Sequence, residues 1–422
     1  MLESEEDERT ILDYFNTNEY CWRAVLRYVH VKDLIRTERA SRRWQEVVLT
    51  YLKGARICIT IGKYNINEEP NVCRLNRSSF NSFESWTKKK ELGSLVVAAY
   101  CVGLKNLEII KENCRNIEAL ELQDVQCRAP KQLRPHNLRD NFKRLQQLTL
   151  ISCSITDSCV NQFVADKALE GLKFYDCDAL TGACFKKMNL SNLKSLEIDM
   201  CSGFESQHML PAFDRLSELT KLNLCNISSE FLEEIQVGLD KMPKLEKLDL
   251  NNDQTIRGEE CGEQLSRLAR LKQLRLAYQM SDEDIEAITR CCTELVILDL
   301  SDCRSMWRDS VRSIWKNAGA RLTSLTLGRY YYLKDADVVA LIRGCPNLTE
   351  LAVSGTRQLT RRLPARAAAA RRAAAPGRVL QLDLSFTNLS SSLCVEDTDA
   401  DGPYPDVLRK KYEGLDIIFI EI

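Results

Sequence analysis

This sequence has few histidines, no long apolar run and no excess of charge of one sign. Only three histidines occur in 422 residues, and no phosphate-binding Gly-x-x-x-x-Gly-Lys-Ser/Thr loop or nucleophile motif is present. Lys plus Arg is 59 and Asp plus Glu is 60, so no global field favours nucleic acid. No apolar run reaches the roughly 18 residues of a transmembrane helix. We therefore expect no enzyme, no cofactor, no membrane span and no nucleic-acid partner.

What the sequence does contain is a repeated register, L-x-x-L-x-L. The intervals between the first positions of successive copies run from 24 to 31 residues, and those positions are Ile117, Leu145, Leu169, Leu193, Leu219, Leu245, Leu271, Leu295, Leu322, Leu348 and Val379. This period, with a short strand pattern in each copy, is typical of a leucine-rich-repeat solenoid.

The alternation inside each copy predicts a strand that buries one side only. Leu148 and Leu150 should point inward, whereas Thr149 should point outward. One such strand cannot bury its leucines alone, so the copies should stack in parallel at about 4.8 Å per strand. The result is a horseshoe with a parallel concave sheet and convex helices.

Helix starts follow the strands at similar spacing. Thr156 and Ser281 have the side chains of N-caps, and Ser281 with Asp284 approximates a capping box. Residues 282–292 should then form a helix with Ile285, Ile288 and Thr289 facing inward.

The cysteines recur with the repeat. Three residues after the last strand leucine stand Cys153, Cys177, Cys201 and Cys303, and three residues before the first stand Cys114, Cys292 and Cys345. This placement predicts buried thiols in a reducing compartment. A metal site is disfavoured because no Cys-x-x-Cys pair exists. Residues 1–9 are acidic, unlike a secretory signal, so we expect a cytoplasmic or nuclear protein, or both.

The order of these features resembles the cysteine-containing subclass of leucine-rich repeats over residues 114–390. The resemblance rests on Cys345-Pro346-Asn347-Leu348 before the L-x-x-L-x-L-x-x-C register, and on Ile155-Thr156-Asp157 after it. Members of this subclass are commonly fused to an F-box, which directs attention to the N-terminus.

Residues 19–53 lack the strand register and predict a small helical bundle. Within it, residues 28–44 resemble the F-box motif through Val31-Lys32-Asp33-Leu34-Ile35 and Ala40-Ser41-Arg42-Arg43-Trp44. The resemblance implies helices that bind the Skp adaptor of a cullin-RING ubiquitin ligase, while the repeats bind the target. The adaptor-binding residues would be Val25, Leu26, Val29, Val31, Leu34, Ile35 and Trp44.

The motif departs from the family at its opening, where Thr17-Asn18 replaces the usual Leu-Pro. Since an apolar side chain contributes about 1.5 to 3 kcal/mol when buried, this change predicts weaker adaptor binding. The alternative is that the bundle only caps the open end of the solenoid.

The outward strand positions predict a weakly acidic, mixed surface. Its acids are Glu121, Glu197, Asp199, Asp249, Asp299, Glu350 and Asp383, and its bases are Lys173, Lys221, Lys247 and Arg275. Such a surface suits a protein ligand with a basic segment better than a phosphate backbone. The alternative is that these charges only keep the surface soluble. We assign target binding to Glu197, Asp199, Asp249, Arg275 and Asp299.

Tyrosines on the loops that leave the strands are candidate anchors at the rim. This group consists of Tyr278, Tyr330, Tyr331 and Tyr332, although they could equally pack on a neighbouring repeat.

Two segments near the C-terminus stand apart in composition. The Ala/Arg-rich residues 361–378 predict either a plain helix or a basic signal for nuclear import or an anionic partner. The apolar residues 415–422 predict a terminal strand that covers the open edge of the sheet.

The predicted order of regions is an acidic segment (1–18), the F-box-like bundle (19–53), a linker with an irregular first repeat (54–113), about eleven repeats (114–390) and an acidic tail with a capping strand (391–422). In the linker region we expect a strand over residues 55–61 and a helix over 85–101. Two functions fit this order. One is a substrate receptor of an SCF-type ubiquitin ligase, and the other is a repeat scaffold or regulator that acts outside a ligase.

Overall fold

The computed structural model describes most of the repeat region and parts of the N-terminal region. The described residues are 25–26, 28–29, 33–34, 37, 40–54, 57–61, 72–75, 95–100, 117–127, 142, 144–164, 166–251, 256–257, 261–276, 278–301, 303, 308–328, 330, 332–387, 389, 407–412 and 415–420. They fall into two compact units. Unit 1 comprises residues 1–169 and 187–189, and unit 2 comprises residues 170–186 and 190–422.

Unit 1 contains a parallel sheet preceded by a helix. The helix α1 spans Arg42–Gly54. The strands are β1 (Ile57–Ile61), β2 (Val72–Leu75), β3 (Leu95–Tyr100), β4 (Ile117–Gln123), β5 (Gln126–Cys127), β6 (Gln147–Ile151) and β7 (Ser154–Ile155), and the helix α2 (Asp157–Val164) follows. The main sheet has the order β2-β1-β3-β4-β6, and β5 pairs with β7.

The region predicted as a linker contributes three strands to this sheet. The strand expected over residues 55–61 is confirmed for Ile57–Ile61, which forms β1. The helix expected over residues 85–101 is wrong for Leu95–Tyr100, which forms β3. The run L-V-V-A-A-Y joins β1 and β4 on its two sides, and pairing with two neighbours stabilises an extended conformation that periodicity in one short apolar run cannot predict.

Unit 2 is built from one parallel ladder of strands. Its strands are β8 (Gly171–Tyr175), β9 (Ser195–Asp199), β10 (Lys221–Cys225), β11 (Lys247–Leu250), β12 (Ile256–Arg257), β13 (Gln273–Leu276), β14 (Tyr278–Gln279), β15 (Ile297–Asp299), β16 (Ser324–Thr326), β17 (Glu350–Ala352), β18 (Leu380–Asp383), β19 (Val407–Tyr412) and β20 (Leu415–Ile420). Parallel pairing runs β8-β9-β10-β11-β13-β15-β16-β17-β18-β20, and β12 pairs with β14. This ladder is consistent with a repeat solenoid.

The inward leucines form the core of unit 2. Leu222, Leu248 and Leu274 are register partners on successive strands and are buried, as are Leu298, Leu325, Leu351 and Leu382. Each contributes roughly 1.5 to 3 kcal/mol of hydrophobic stabilisation. The predicted first position Val379 is wrong, because its side chain is exposed and Leu380 is buried instead.

Helices return between most strands of unit 2. They are α3 (Ser206–Phe213), α4 (Ser229–Ile235), α5 (Cys261–Ser266), α6 (Asp282–Cys291), α7 (Arg308–Asn317), α8 (Asp335–Gly344) and α9 (Leu363–Ala374), with 3-10 helices at Ala183–Lys187 and Gln236–Lys241. The predicted capping box is confirmed at α6. Asp284 N–H donates to Ser281 Oγ at 3.1 Å, and Ser281 N–H donates to Asp284 Oδ2 at 2.9 Å. Ile285, Ile288 and Thr289 are buried as predicted.

The turns that directly follow β8, β9 and β10 use a left-handed backbone. Asp176, Met200 and Asn226 directly follow β8, β9 and β10 with φ between 51° and 54°. In this conformation their N–H groups donate to the carbonyls of Asp199, Cys225 and Asn251 on the following repeat. The strained turn is therefore stabilised by hydrogen bonds that repeat along the ladder.

The repeating cysteines are buried, as predicted. The thiols of Cys177 and Cys201 each donate to the carbonyl two residues earlier, at 3.3 Å and 3.2 Å. Burial raises the pKa of Cys292 and of Cys345 to about 12, so both are neutral thiols at physiological pH. Cys114 lies outside the described residues.

The C-terminal strand prediction holds in part. β20 pairs in parallel with β18, as a capping strand should. However, β19 pairs antiparallel with β20 on its other side, so β20 does not itself form the edge. The hairpin of β19 and β20 therefore ends the described ladder of unit 2.

Candidate protein-binding surfaces

The outward side chains of the ladder form what we call the sheet face of unit 2. Inward residues on each strand are almost fully buried, whereas the alternating outward residues are partly exposed. The pairing register aligns the central outward residue of each strand in one row, namely Lys173, Glu197, Asn223, Asp249, Arg275, Asp299, Thr326, Ala352 and Asp383. Four of the five assigned target-binding charges therefore occupy one row.

Glu197 lies between two lysines on the sheet face. Its carboxylate is 3.2 Å from Lys173 Nζ on β8 and 2.6 Å from Lys221 Nζ on β10. Burial alone raises the pKa of Glu197, but the Lys221 hydrogen bond and the Lys173 charge outweigh burial and lower it. The Glu197 carboxylate therefore holds the side chains of Lys173 and Lys221 close together on the sheet face.

Arg275 lies between two aspartates on the neighbouring strands. Its Nε donates to Asp299 Oδ2 at 2.7 Å, and its guanidinium is 3.4 Å from Asp249 Oδ2. Burial alone lowers the pKa of Arg275, but the charges of Asp299 and Asp249 outweigh burial and raise it. Half of the Arg275 side chain stays exposed, so this charged group can still contact a ligand.

Cys225 is held beside the same row. Its Sγ lies 3.2 Å from Asp249 Oδ1. Burial, followed by the charge of Asp249, raises the pKa of the thiol far above its usual range. Cys225 is therefore a structural thiol and not a nucleophile.

Acids dominate the sheet face toward the C-terminus. On β15–β18 the described outward residues are Ile297, Asp299, Ser324, Thr326, Glu350, Ala352, Gln381 and Asp383, which include three carboxylates and no base. Asp299 is only 9% exposed and pairs with Arg275, which corrects its assignment as a target contact, so the exposed acids here are Glu350 and Asp383. Glu350 accepts from Ser324 Oγ at 3.1 Å, and Asp383 accepts from Ser385 N–H at 2.8 Å. The charge on this face is thus paired near Glu197 and Arg275 and acidic beyond them.

Asp199 lies at the end of its strand rather than in the central row. Its Oδ1 accepts from Asn226 Nδ2 at 2.9 Å, which ties the ends of neighbouring repeats together. This bond makes Asp199 part of the turn structure as well as a candidate contact.

The structure changes which of the predicted tyrosines can act as anchors. Tyr330 is only 2% exposed, so its ring packs inside unit 2 and is not a rim contact. Tyr332, which belongs to the same predicted group, is exposed. Tyr278 forms the two-residue strand β14 through its backbone, and its side chain lies outside the described part, as does Tyr331.

The predicted adaptor-binding residues divide between a core and a surface. Leu26 and Leu34 are buried in unit 1, so neither side chain is exposed to a partner, which corrects their assignment. Val25 is 46% exposed. Val29 and Trp44 are half-buried, and Trp44 Nε1 donates to Thr37 Oγ1 at 3.1 Å.

Tyr28, an exposed aromatic residue near Val25, was not among the adaptor-binding residues predicted from the sequence. Tyr28 is 67% exposed, and its N–H donates to the Val25 carbonyl at 3.0 Å. The spacing i, i+3 between the two residues was the available signal. Val31 and Ile35 lie outside the described residues.

Among the described residues, no cluster of three or more His, Cys, Asp or Glu side chains could hold a metal ion. None of the helices within these described ranges has the length and apolar character of a membrane-spanning segment.

Comparisons with known proteins add little. No protein-family model matches the chain, and no curated protein matches it. A crystal structure of the yeast Rad7 and Elc1 complex is similar at 17% identity and a TM-score of 0.32, over 55% of this chain and 73% of that chain. A similarity of this size carries no argument about fold or function. The assignment of a role therefore depends on the residues themselves.

Proposed function

We propose that this chain is a non-catalytic substrate receptor of an SCF-type cullin-RING ubiquitin ligase. Residues 19–53 bind the Skp adaptor, and through it the cullin, while the sheet face of unit 2 binds the target protein. The observation that carries the proposal is the combination, in one chain, of the F-box-like residues 31–44 with a parallel ladder of repeats. Such a receptor acts by raising the effective concentration of a target lysine near the conjugating enzyme.

The exposed residues of the bundle support the adaptor half of the proposal. Leu26 and Leu34 are buried, whereas Val25 and Tyr28 present large exposed side chains on the surface of unit 1. Burial of such side chains at the centre of an interface supplies much of the binding energy.

The charges of the sheet face support the target half. Asp299 pairs with Arg275, and beyond it the acids Glu350 and Asp383 have no base beside them on the described outward positions of β16–β18. A target with a basic segment complements this face, and long-range attraction would speed its association.

The adaptor half is tested by calorimetry of the purified Skp adaptor with the full-length protein. We expect binding that Val25→Asp and Tyr28→Asp each weaken by roughly tenfold or more, because each places a charge in an apolar contact. Val237→Asp is the matched control, since Val237 is 50% exposed in unit 2.

We expect the control to bind like the wild type, and thermal unfolding should show that all three variants stay folded. No binding by the wild type, or equal weakening by Val237→Asp, would reject the receptor role and leave the scaffold alternative.

A further inference from the structure

A groove lies on the helical surface of unit 2, between α7, α8 and α9. Its volume is about 440 Å³. Its apolar lining comes from Trp315, Ala336, Val339 and Ala340, and Arg343 and Arg366 also line it. The groove therefore combines an apolar floor with two cations.

The floor is held in place by close packing of two helices. A Cβ atom at Gly344 of α8 would lie 2.8 Å from Trp315 Cβ and 3.0 Å from Trp315 Cε3. No side chain other than hydrogen fits there, so α8 approaches the indole of α7 directly. Trp315 remains half-buried and contributes to the groove.

The surface around the groove is strongly basic. The exposed cations on α7–α9 and the preceding turn are Arg312, Lys316, Arg343, Arg361, Arg362, Arg366 and Arg372. The same three helices contain three acids, and two of them are committed to hydrogen bonds. Asp335 accepts from Thr360 N–H at 2.8 Å, and Asp337 accepts from Lys334 N–H at 2.9 Å.

The two groove arginines differ in their present contacts. Arg366 is 3.6 Å from the buried carboxylate of Asp335, with half of its side chain exposed. Arg343 is exposed and has no ion pair with any residue in the described part of the chain. Arg343 is thus available to a ligand without breaking an existing contact.

We propose that this groove binds an acidic peptide segment of a partner protein. Its carboxylates would pair with Arg343 and Arg366, and an aliphatic or aromatic side chain would cover Trp315, Val339 and Ala340. A peptide fits better than a nucleic acid, because nucleic-acid affinity depends on many phosphate contacts along a stripe and the groove offers two cations around an apolar floor. The part of the sheet face on β16–β18 is acidic, so an acidic ligand of the groove would not bind there.

The test uses a short fluorescein-labelled peptide in which aspartate and glutamate alternate with leucine and phenylalanine. Its fluorescence anisotropy is measured as the full-length protein is added. We expect binding that weakens as salt is raised. Arg343→Glu should weaken it by roughly tenfold or more, since one attractive pair becomes repulsive. Ala336 is exposed in the lining, so Ala336→Glu should weaken binding and Ala336→Lys should preserve or strengthen it.

Arg312→Glu is the matched control, because Arg312 is exposed on α7 and does not line the groove. We expect it to change affinity by less than about twofold. Equal losses for Arg343→Glu and Arg312→Glu, or no binding by the wild type, would overturn the proposal. Tighter binding of a fluorescein-labelled single-stranded oligonucleotide than of the peptide, with the same loss in Arg343→Glu, would also overturn it. None of these outcomes depends on adaptor binding, so the groove and the receptor role are tested separately.

Discussion

Arg371 donates a hydrogen bond from Nη2 to the carbonyl oxygen of Leu348 at 2.7 Å. The same fully buried guanidinium also donates to the carbonyls of Pro346 at 3.1 Å and Arg378 at 3.2 Å. Burial lowers the pKa of Arg371. The Arg371 guanidinium therefore links α9 to the residues just before β17 and to the residues that follow α9 in the chain.

Loss of this cation should destabilise unit 2. Arg371→Met keeps the length and apolar part of the side chain but leaves buried carbonyls without donors, so we expect a cost of about 2 to 4 kcal/mol. Arg372→Met is the control one residue away, and its exposed side chain should change stability by less than about 0.5 kcal/mol. Urea-induced unfolding measures both. Similar midpoints for the two variants would contradict the role given to Arg371.

The pKa of Glu197 predicts a pH-dependent contribution to stability. Its pKa in the fold lies below its ordinary value of about 4.5, so the folded state binds the proton more weakly than the unfolded state does. The resulting stabilisation is complete above that ordinary value and is lost as pH falls through the folded pKa. Glu197→Gln should therefore lower the free energy of unfolding near neutral pH, and the difference from wild type should shrink in acid.

Urea unfolding of wild type and Glu197→Gln at a series of pH values provides the measurement. Glu286→Gln on the exposed side of α6 serves as the control. A Glu197→Gln difference that is constant with pH would show that the two lysines do not stabilise the carboxylate.

The adjacent thiols Cys291 and Cys292 should differ in reactivity. Cys292 is buried with its pKa raised to about 12, whereas Cys291 is partly exposed. Because the thiolate is the reactive form, N-ethylmaleimide should label Cys291 in the native protein and leave Cys292 unlabelled until the chain is unfolded. Peptide mapping by mass spectrometry distinguishes the two sites. Native labelling of Cys292 at a similar rate would contradict its place in the core.

The repeat ladder was predictable because its signal is strong and local. Leu248 and Leu250 face inward through simple alternation, and the interval to the next copy fixes their register partners Leu274 and Leu276. The capping box of Ser281 and Asp284 spans three residues and is equally local. These features need only the residues that carry them.

The sequence did not predict which apolar or basic side chains would be buried. Leu26 and Val25 are neighbours in one helical stripe, yet only packing decides that Leu26 enters the core. Arg371 and Arg372 stand in the same Ala/Arg-rich run, and only the position of the carbonyls of the previous repeat separates their roles.

The groove on the helical surface could not be predicted from the sequence either. Trp315, Val339, Arg343 and Arg366 lie on three helices, and no local pattern brings them together. Tyr330 shows the opposite case, since its place after a strand predicts a rim position but its ring is buried.

We propose above all that one chain binds the adaptor and the target on separate surfaces. The most direct test is quantitative mass spectrometry of proteins that copurify with the full-length wild type, with Val25→Asp and with Glu350→Lys on the sheet face. We expect Val25→Asp to lose the Skp adaptor and cullin but keep the target proteins, and Glu350→Lys to keep the ligase subunits but lose targets. Adaptor and cullin that are absent from the wild type, or retained by Val25→Asp, would contradict the claim, as would a target set that Glu350→Lys leaves unchanged.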